Sequence, residues 1–214
     1  MRVIAIDGPA GSGKSTVARA LAARLRLEYL DTGAMYRSVA FAALQRGIDP
    51  ADDETIGKMA RDVAIDVGPD GVIVDGTDAT SAIRGLEVSQ AVSVVAANPA
   101  VRAEMVRRQR AWVAARDGGV LEGRDIGTVV FPDAELKVYL TADPEVRAQR
   151  RSKEAVDLDY DTVAADLARR DAVDQSREVS PLTEAEDAFL LDTTGLTVEE
   201  IIDVIAARIG AGDD

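Results

Sequence analysis

The residues with the clearest chemical potential lie near the start of the chain. Gly8 to Ser15 reads Gly-Pro-Ala-Gly-Ser-Gly-Lys-Ser and fits G-x-x-x-x-G-K-[ST], the phosphate-binding loop. Gly8, Gly11 and Gly13 carry no Cβ, so the backbone there can curl and turn its N–H groups toward phosphate oxygens. Lys14 adds a point charge for the outer phosphates, and Ser15 offers a hydroxyl to Mg2+. The expected triphosphate site is therefore Gly8, Pro9, Ala10, Gly11, Ser12, Gly13, Lys14, Ser15 and Thr16, with Mg2+ on Ser15. The motif needs a strand before it and a helix after it. Val3–Ile6 is an apolar run of the buried-strand kind. Val17, Ala18, Leu21, Ala22 and Leu25 follow at helical spacing, and the N-terminus of that helix favours an anion.

The rest of the composition narrows the chemistry. The chain has no cysteine and no histidine. Thiol chemistry, disulfides, His-metal sites and imidazole acid/base catalysis are all excluded. Phosphoryl transfer needs little of these, because its loose transition state calls for positioning and cationic stabilisation. The cations are arginines: Arg37 after a short strand, Arg102, Arg107, Arg108 and Arg110 on one long helix, Arg124 in a Gly-Arg-Asp turn, then Arg147, Arg150, Arg151, Arg170 and Arg177. The planar guanidinium holds two phosphate oxygens at once and stays charged. A helix cannot point Arg107, Arg108 and Arg110 one way, so surface ion pairing competes with function there. A solvated helix face is the rival for Arg150 and Arg151.

The elements that must position these residues alternate. Glu28–Asp31 reads as a short strand, Thr32-Gly33 as a turn, and Ala34–Gln45 as a helix stopped by Gly47. Residues 51 to 62 read as a short helix. Residues 64–68 and 72–76 flank Pro69-Asp70-Gly71, a hairpin signal, with a third short strand over 77–81. Pro99 opens a long helix to Arg116. Val120–Glu122, Leu136–Leu140 and Ala188–Leu191 read as buried strands. Helices follow Asp143, span 161–174, and start at a Thr197/Glu200 capping box. Five buried strands separated by helices predict a doubly wound α/β fold: a P-loop NTPase-type parallel sheet with helices on both faces. Ligands of such sheets sit beyond the strands' carboxyl ends, where Lys14, Asp31 and Asp125 fall.

With 214 residues, the chain suits one α/β domain carrying an insertion. Its net charge of −13 argues against nucleic acid or an anionic membrane as main partner. Cations for an anionic nucleotide must then be gathered locally, since charges beyond about 8 Å are screened at physiological salt. A first strand at Val3 leaves no room for a signal peptide, so a cytoplasmic protein is expected. The chain is expected to be a monomer.

Beyond the P-loop, four further stretches carry a resemblance. Asp31-Thr-Gly-Ala-Met-Tyr-Arg37, Arg107-Arg-Gln-Arg110, Gly123-Arg-Asp-Ile-Gly-Thr-Val-Val-Phe-Pro-Asp133, and Arg170-Asp171 through Asp174 to Arg177 with Pro181-Leu182 closely resemble the bacterial-type cytidylate kinases. The resemblance runs from residue 3 to about 195. It implies transfer of the γ-phosphoryl of ATP to CMP or dCMP, with Mg2+. It also implies a core over 1–32, 97–149 and 161–214, a monophosphate-binding insert over 33–96 with a small antiparallel sheet, and a lid over 150–160. On the CMP side it implies Thr32 and Tyr36 near the substrate, Arg37 and Arg124 on its phosphate, Ser93, Arg102 and Asp125 on cytosine, and Arg170 and Asp174 on the pentose. Lys14, Arg124, Arg150, Arg151 and Arg177 would surround the transferring group. A carboxylate at 125 suits cytosine, because it accepts from the exocyclic amino group that uracil lacks.

Three other readings stay open at this point. One is a kinase of the same fold acting on another small acceptor. Another is a P-loop binding module without catalysis, which leaves the gathered arginines unexplained. The third is a GTP-dependent switch, since Asp192-Thr-Thr-Gly195 fits D-x-x-G. Guanine-reading switches usually also carry Asn-Lys-x-Asp, and the one asparagine here, Asn98, precedes a proline.

Overall fold

The structure, a computed structural model, describes residues 1–154 and 159–210. Strands β1 (Arg2–Asp7), β2 (Tyr29–Asp31), β6 (Gly118–Gly123), β7 (Leu136–Thr141) and β8 (Phe189–Asp192) form one sheet in the order β2-β6-β1-β7-β8. β1 runs parallel to β6 and to β7, and β7 to β8. This is the predicted parallel sheet, with the loop-bearing strand at its centre. The chain divides into two compact units: residues 1–29 with 116–214, and residues 30–115.

In the first unit, Ile4, Ile6, Val120, Val138 and Leu140 of the sheet pack with Val17 and Leu21 of α1 (Lys14–Leu25) and with Ile201, Ile202 and Ile205 of α8 (Val198–Gly210). The continuous apolar run Val3–Ile6 of β1 follows from this burial, since both faces of a central parallel strand are covered. α6 (Pro144–Glu154) and α7 (Tyr160–Ser176) pack against each other. The capping box closes as read: Thr197 N donates to Glu200 Oε2 at 2.8 Å, and Glu200 N returns to Thr197 Oγ1 at 3.3 Å.

The second unit holds α2 (Thr32–Gln45), α3 (Asp53–Asp62), α4 (Leu86–Ala97) and α5 (Pro99–Ala114). It also holds an antiparallel sheet β3-β4-β5, built from Ile65–Gly68, Gly71–Val74 and Thr77–Asp78. The hairpin is as read. Its second turn places Asp75 and Gly76 both at positive φ, the geometry of a two-residue hairpin turn. Two readings are corrected. Thr32 and Gly33 are not a turn but the first residues of α2, because Asp31 caps the helix with its Oδ1 on Ala34 N at 2.8 Å. Residues 86–97, left without a helix by the sequence, form α4.

Among the described residues no helix is long and apolar enough to cross a membrane.

Candidate active site

The P-loop leaves β1 between the two strands that flank it. The register sets Asp7 opposite Gly123 of β6 and opposite Tyr139 of β7. Gly8, Gly11 and Gly13 all take positive φ. At Gly8 a Cβ would lie 2.0 Å from the Leu140 carbonyl oxygen, so the loop depends on a residue with no side chain there. Gly13 caps α1 with no side-chain hydrogen bond, and the helix's first turn carries no acid. Its leading N–H groups thus face no competing acceptor from the cap, which suits an anion. Ser12 Oγ is buried with no hydrogen-bond partner among the described residues, whereas Ser15 and Thr16 are exposed.

Cations converge on this loop. Lys14 is buried and donates to Pro9 O at 2.7 Å. Burial, and then the neighbouring Arg124 charge, push its ammonium down to about 7. Arg124 donates to Asp174 Oδ2 at 2.8 Å. Burial opposes charge on Arg124, but Asp174, Glu122 and Asp171 outweigh it and hold the guanidinium above its ordinary value. Asp174 is also paired with Arg177, and these arginines hold its carboxyl below the usual range against the opposing effect of burial. Arg170 is pushed down to about 10, chiefly by burial and then by Arg124, with Arg151 adding to the repulsion. Arg124 thus repels both Lys14 and Arg170 in a partly dehydrated site.

Arg150 lies one turn from Arg147 on α6. It donates to Thr193 Oγ1 and to Thr193 O, both at 2.8 Å, and its Nη1 stands 3.4 Å from Ser12 O. Thr193 belongs to the Asp192-Thr-Thr-Gly195 stretch, which here ends β8 and braces an arginine beside the P-loop.

Sequence reasoning missed Asp7. Its carboxylate accepts from Ile126 N at 2.9 Å and from Gly127 N at 2.7 Å. It thereby fixes the π-helical turn Ile126–Val130 that follows Arg124 and Asp125. Burial raises its carboxyl to about 6 despite those two N–H donors, and the nearby Asp125 charge adds to the rise. Asp125 is itself buried.

The remaining residues that the resemblance would put on the CMP side fall in the second unit. Asp31 accepts from Arg37 Nη2 at 2.8 Å, and Arg37 Nε is buried with no hydrogen-bond partner among the described residues. Burial opposes ionisation of Asp31, but Arg37, the Ala34 N–H and Arg84 hold its carboxyl below the ordinary value. Gly33 leaves room for this arginine, since a Cβ there would approach Arg37 Nη1 to 2.9 Å. Arg102 is buried, stands over the Tyr36 ring at 5.5 Å and donates to Ala96 O at 3.2 Å. Thr32 and Ser93 are buried on α2 and α4. Arg107 and Arg108 instead pair with Glu104, whose carboxyl their hydrogen bonds hold down at about 2. Arg108 also takes the Val63, Ala60 and Arg61 carbonyls at the end of α3, so its part is structural.

A glycine loop that leaves the central strand of a parallel sheet, feeds a helix and is ringed by cations defines a P-loop phosphate-binding protein. The fold is shared with the solved structure of a sugar kinase from Janibacter sp., at 16% identity and a TM-score of 0.51, covering 97% of this chain and 93% of that one. Sequence gives the particular family. Residues 4–211 match the family model described as cytidylate kinase. The chain is 49% identical over 217 residues to the cytidylate kinase of Mycobacterium leprae, covering 98% of this chain and 97% of that protein. It is 48% identical over 214 residues to that of Bacillus subtilis, covering 96% and 95%. The chain belongs to the cytidylate kinase family of enzymes.

Proposed function

We propose that the enzyme transfers the γ-phosphoryl group of ATP directly to the phosphate of CMP or dCMP, giving the diphosphate and ADP. The observation that carries this reading is the gathering of cations on the glycine loop, with Lys14 buried against Pro9 O and repelled by Arg124, and Arg150 Nη1 3.4 Å from Ser12 O, an arrangement that an oligophosphate would suit. In this reading Gly8 to Thr16 hold ATP, and Lys14 neutralises the outer phosphates. Arg124, Arg150, Arg151 and Arg177 stabilise the charge on the group in transit. Arg37 and Arg124 hold the acceptor phosphate, exchanging their present carboxylate partners for phosphate oxygens. Thr32, Tyr36, Ser93, Arg102 and Asp125 enclose cytosine, while Arg170 and Asp174 hold the pentose. Residues 33–96 serve as the acceptor-binding insert and 150–160 as the lid. Residues 155–158 of that lid lie outside the described residues.

The donor set fits Mg2+. Ser15 exposes a hydroxyl at the start of α1, and no three acidic side chains gather into a metal nest among the described residues. A small hard cation that keeps its waters and leans on substrate phosphates needs no such nest. When bound with ATP it would neutralise charge on the phosphate oxygens.

A coupled assay for ADP with CMP, dCMP, UMP, AMP and GMP as acceptors tests the reaction, and turnover with cytidine nucleotides well above the rest is expected. Asp125→Ala should lower the CMP-over-UMP ratio of kcat/KM by about 10- to 100-fold, the worth of one good base contact. An unchanged ratio removes Asp125 from base recognition.

Lys14 gives a second, independent test. Phosphate should raise its proton affinity from the free value of about 7. ATP binding at pH 8 should then take up a proton, and affinity should fall as pH rises above about 7. Titration calorimetry in buffers of different ionisation heat reads the uptake directly. Zero uptake contradicts the role given to Lys14.

A further inference from the structure

Ala10, inside the P-loop, is gripped by α6 and α7. Its N–H reaches Asp171 Oδ1 at 3.4 Å, and its carbonyl accepts from Arg147 Nη1 at 3.2 Å. Arg147 and Asp171 also pair with each other, each side chain only 13% exposed. Arg147 Nε donates to Ala142 O at 3.2 Å, which ties the same side chain to the end of β7. The Ala10 methyl enters a small apolar cluster with Ala148, Val163 and Leu167. At Gly11, a Cβ would come within 2.8 Å of the Arg147 carbonyl oxygen. Asp171 is felt further on, raising the proton affinity of both Lys14 and Arg124.

A pair that merely glued α6 to α7 would have no need of bonds to the loop. Here one donor and one acceptor go to the peptide groups on either side of Ala10, in the middle of the phosphate cradle. The cradle works only if its N–H groups are aimed before the phosphates arrive, and small misplacements are costly. We infer that Arg147 and Asp171 are positioning residues that hold the P-loop in its triphosphate-binding conformation from α6 and α7. The inference rests on the ATP reading of the loop. Neither residue needs to touch the nucleotide.

The test is ATP binding without acceptor, measured by calorimetry, followed by steady-state kinetics well below the melting temperature. Asp171→Ala should weaken ATP binding and raise the KM for ATP about tenfold or more, as expected when buried hydrogen bonds to a charged group are lost. The KM for CMP should stay within about twofold, because the acceptor is held by other residues. Arg147→Met should do the same, and the double variant should be little worse than either alone, since both act through Ala10. Asp171→Asn, which keeps an acceptor oxygen, should recover part of the loss. Should Asp171→Ala fail to fold, Arg147→Lys carries the test: it keeps the charge, loses the fork and should still weaken ATP several-fold. If the variants bind ATP as the wild type does while only their melting temperature drops, the pair is a structural tie and the inference is overturned. If the wild-type enzyme itself fails to bind ATP, it is the reading of the loop that fails.

Discussion

Lys14→Met should lower kcat/KM by about 10³-fold while leaving the fold intact. One well-placed group on a developing phosphoryl charge is worth about 10²–10³-fold, and up to about 10⁵-fold in the strongest cases. Lys14 is buried in a site where burial and Arg124 both disfavour its charge. The free enzyme thus holds only part of that charge near neutral pH, and the phosphates restore it when they arrive. Methionine keeps an unbranched stem of similar length, so packing around α1 survives. The lost bond to Pro9 O is offset by removal of a repelled charge. The melting temperature should therefore stay within a few degrees of wild type. The informative result is the split between activity and stability, read from the ADP assay and from calorimetry on one preparation. Retained activity, or loss of both together, contradicts the role assigned to Lys14.

The second large effect is structural. Gly8→Ala should destabilise the protein by about 4 kcal/mol or more, at the diagnostic end of single substitutions. The new Cβ would stand 2.0 Å from Leu140 O and 3.1 Å from Leu140 C, both backbone atoms of β7, at a φ of +147° that side chains rarely adopt. No rotamer change relieves a clash between a Cβ and a neighbouring strand. For a protein of this size each kcal/mol moves the melting temperature by about 2–4 °C, so a fall of about 8–16 °C is expected. Gly47→Ala is the control. It also has positive φ, but nothing lies within 4 Å of the added carbon. The strain alone should cost about 1–2 kcal/mol. Equal effects at the two positions would mean that the tight fit of the loop against β7 is wrong.

The difference between these two glycines also shows what sequence could and could not reveal. The motif marked Gly8 as special, and the buried runs at Val3–Ile6 and Leu136–Leu140 gave the strands around it. That these strands are neighbours, with Leu140 against the loop, is a fact of register over a long sequence separation. Asp7 and Asp171 were missed for the same reason. Their partners lie 119 and 161 residues away, and no spacing rule reaches that far. α4 is a different case. Its buried residues Val88, Ala91, Val92, Val95 and Ala96 have helical spacing, so a signal was present. Four valines blurred it, because β-branched residues favour strands until packing decides. At Thr32 the error was local: Asp31, read as the end of a strand, is also the cap of the next helix. Among the arginines, Arg124 stood out because of its turn at a strand end. Telling Arg108 from Arg150 required their partners, helix-end carbonyls in one case and Thr193 in the other.

The central place of β1 has a consequence for biosynthesis. The ribosome makes this strand before the other four of its sheet, and both of its hydrogen-bonding neighbours, Gly118–Gly123 and Leu136–Thr141, come more than a hundred residues later. At translation speeds of about 5–20 residues per second, Val3–Ile6 spends roughly ten seconds outside the ribosome with both edges unpaired. The segment that will cradle phosphate is thus among the last to be shaped. Until then the nascent chain offers an apolar edge to anything that pairs with strands, and the net charge of −13 is the chain's own counterweight to that hazard.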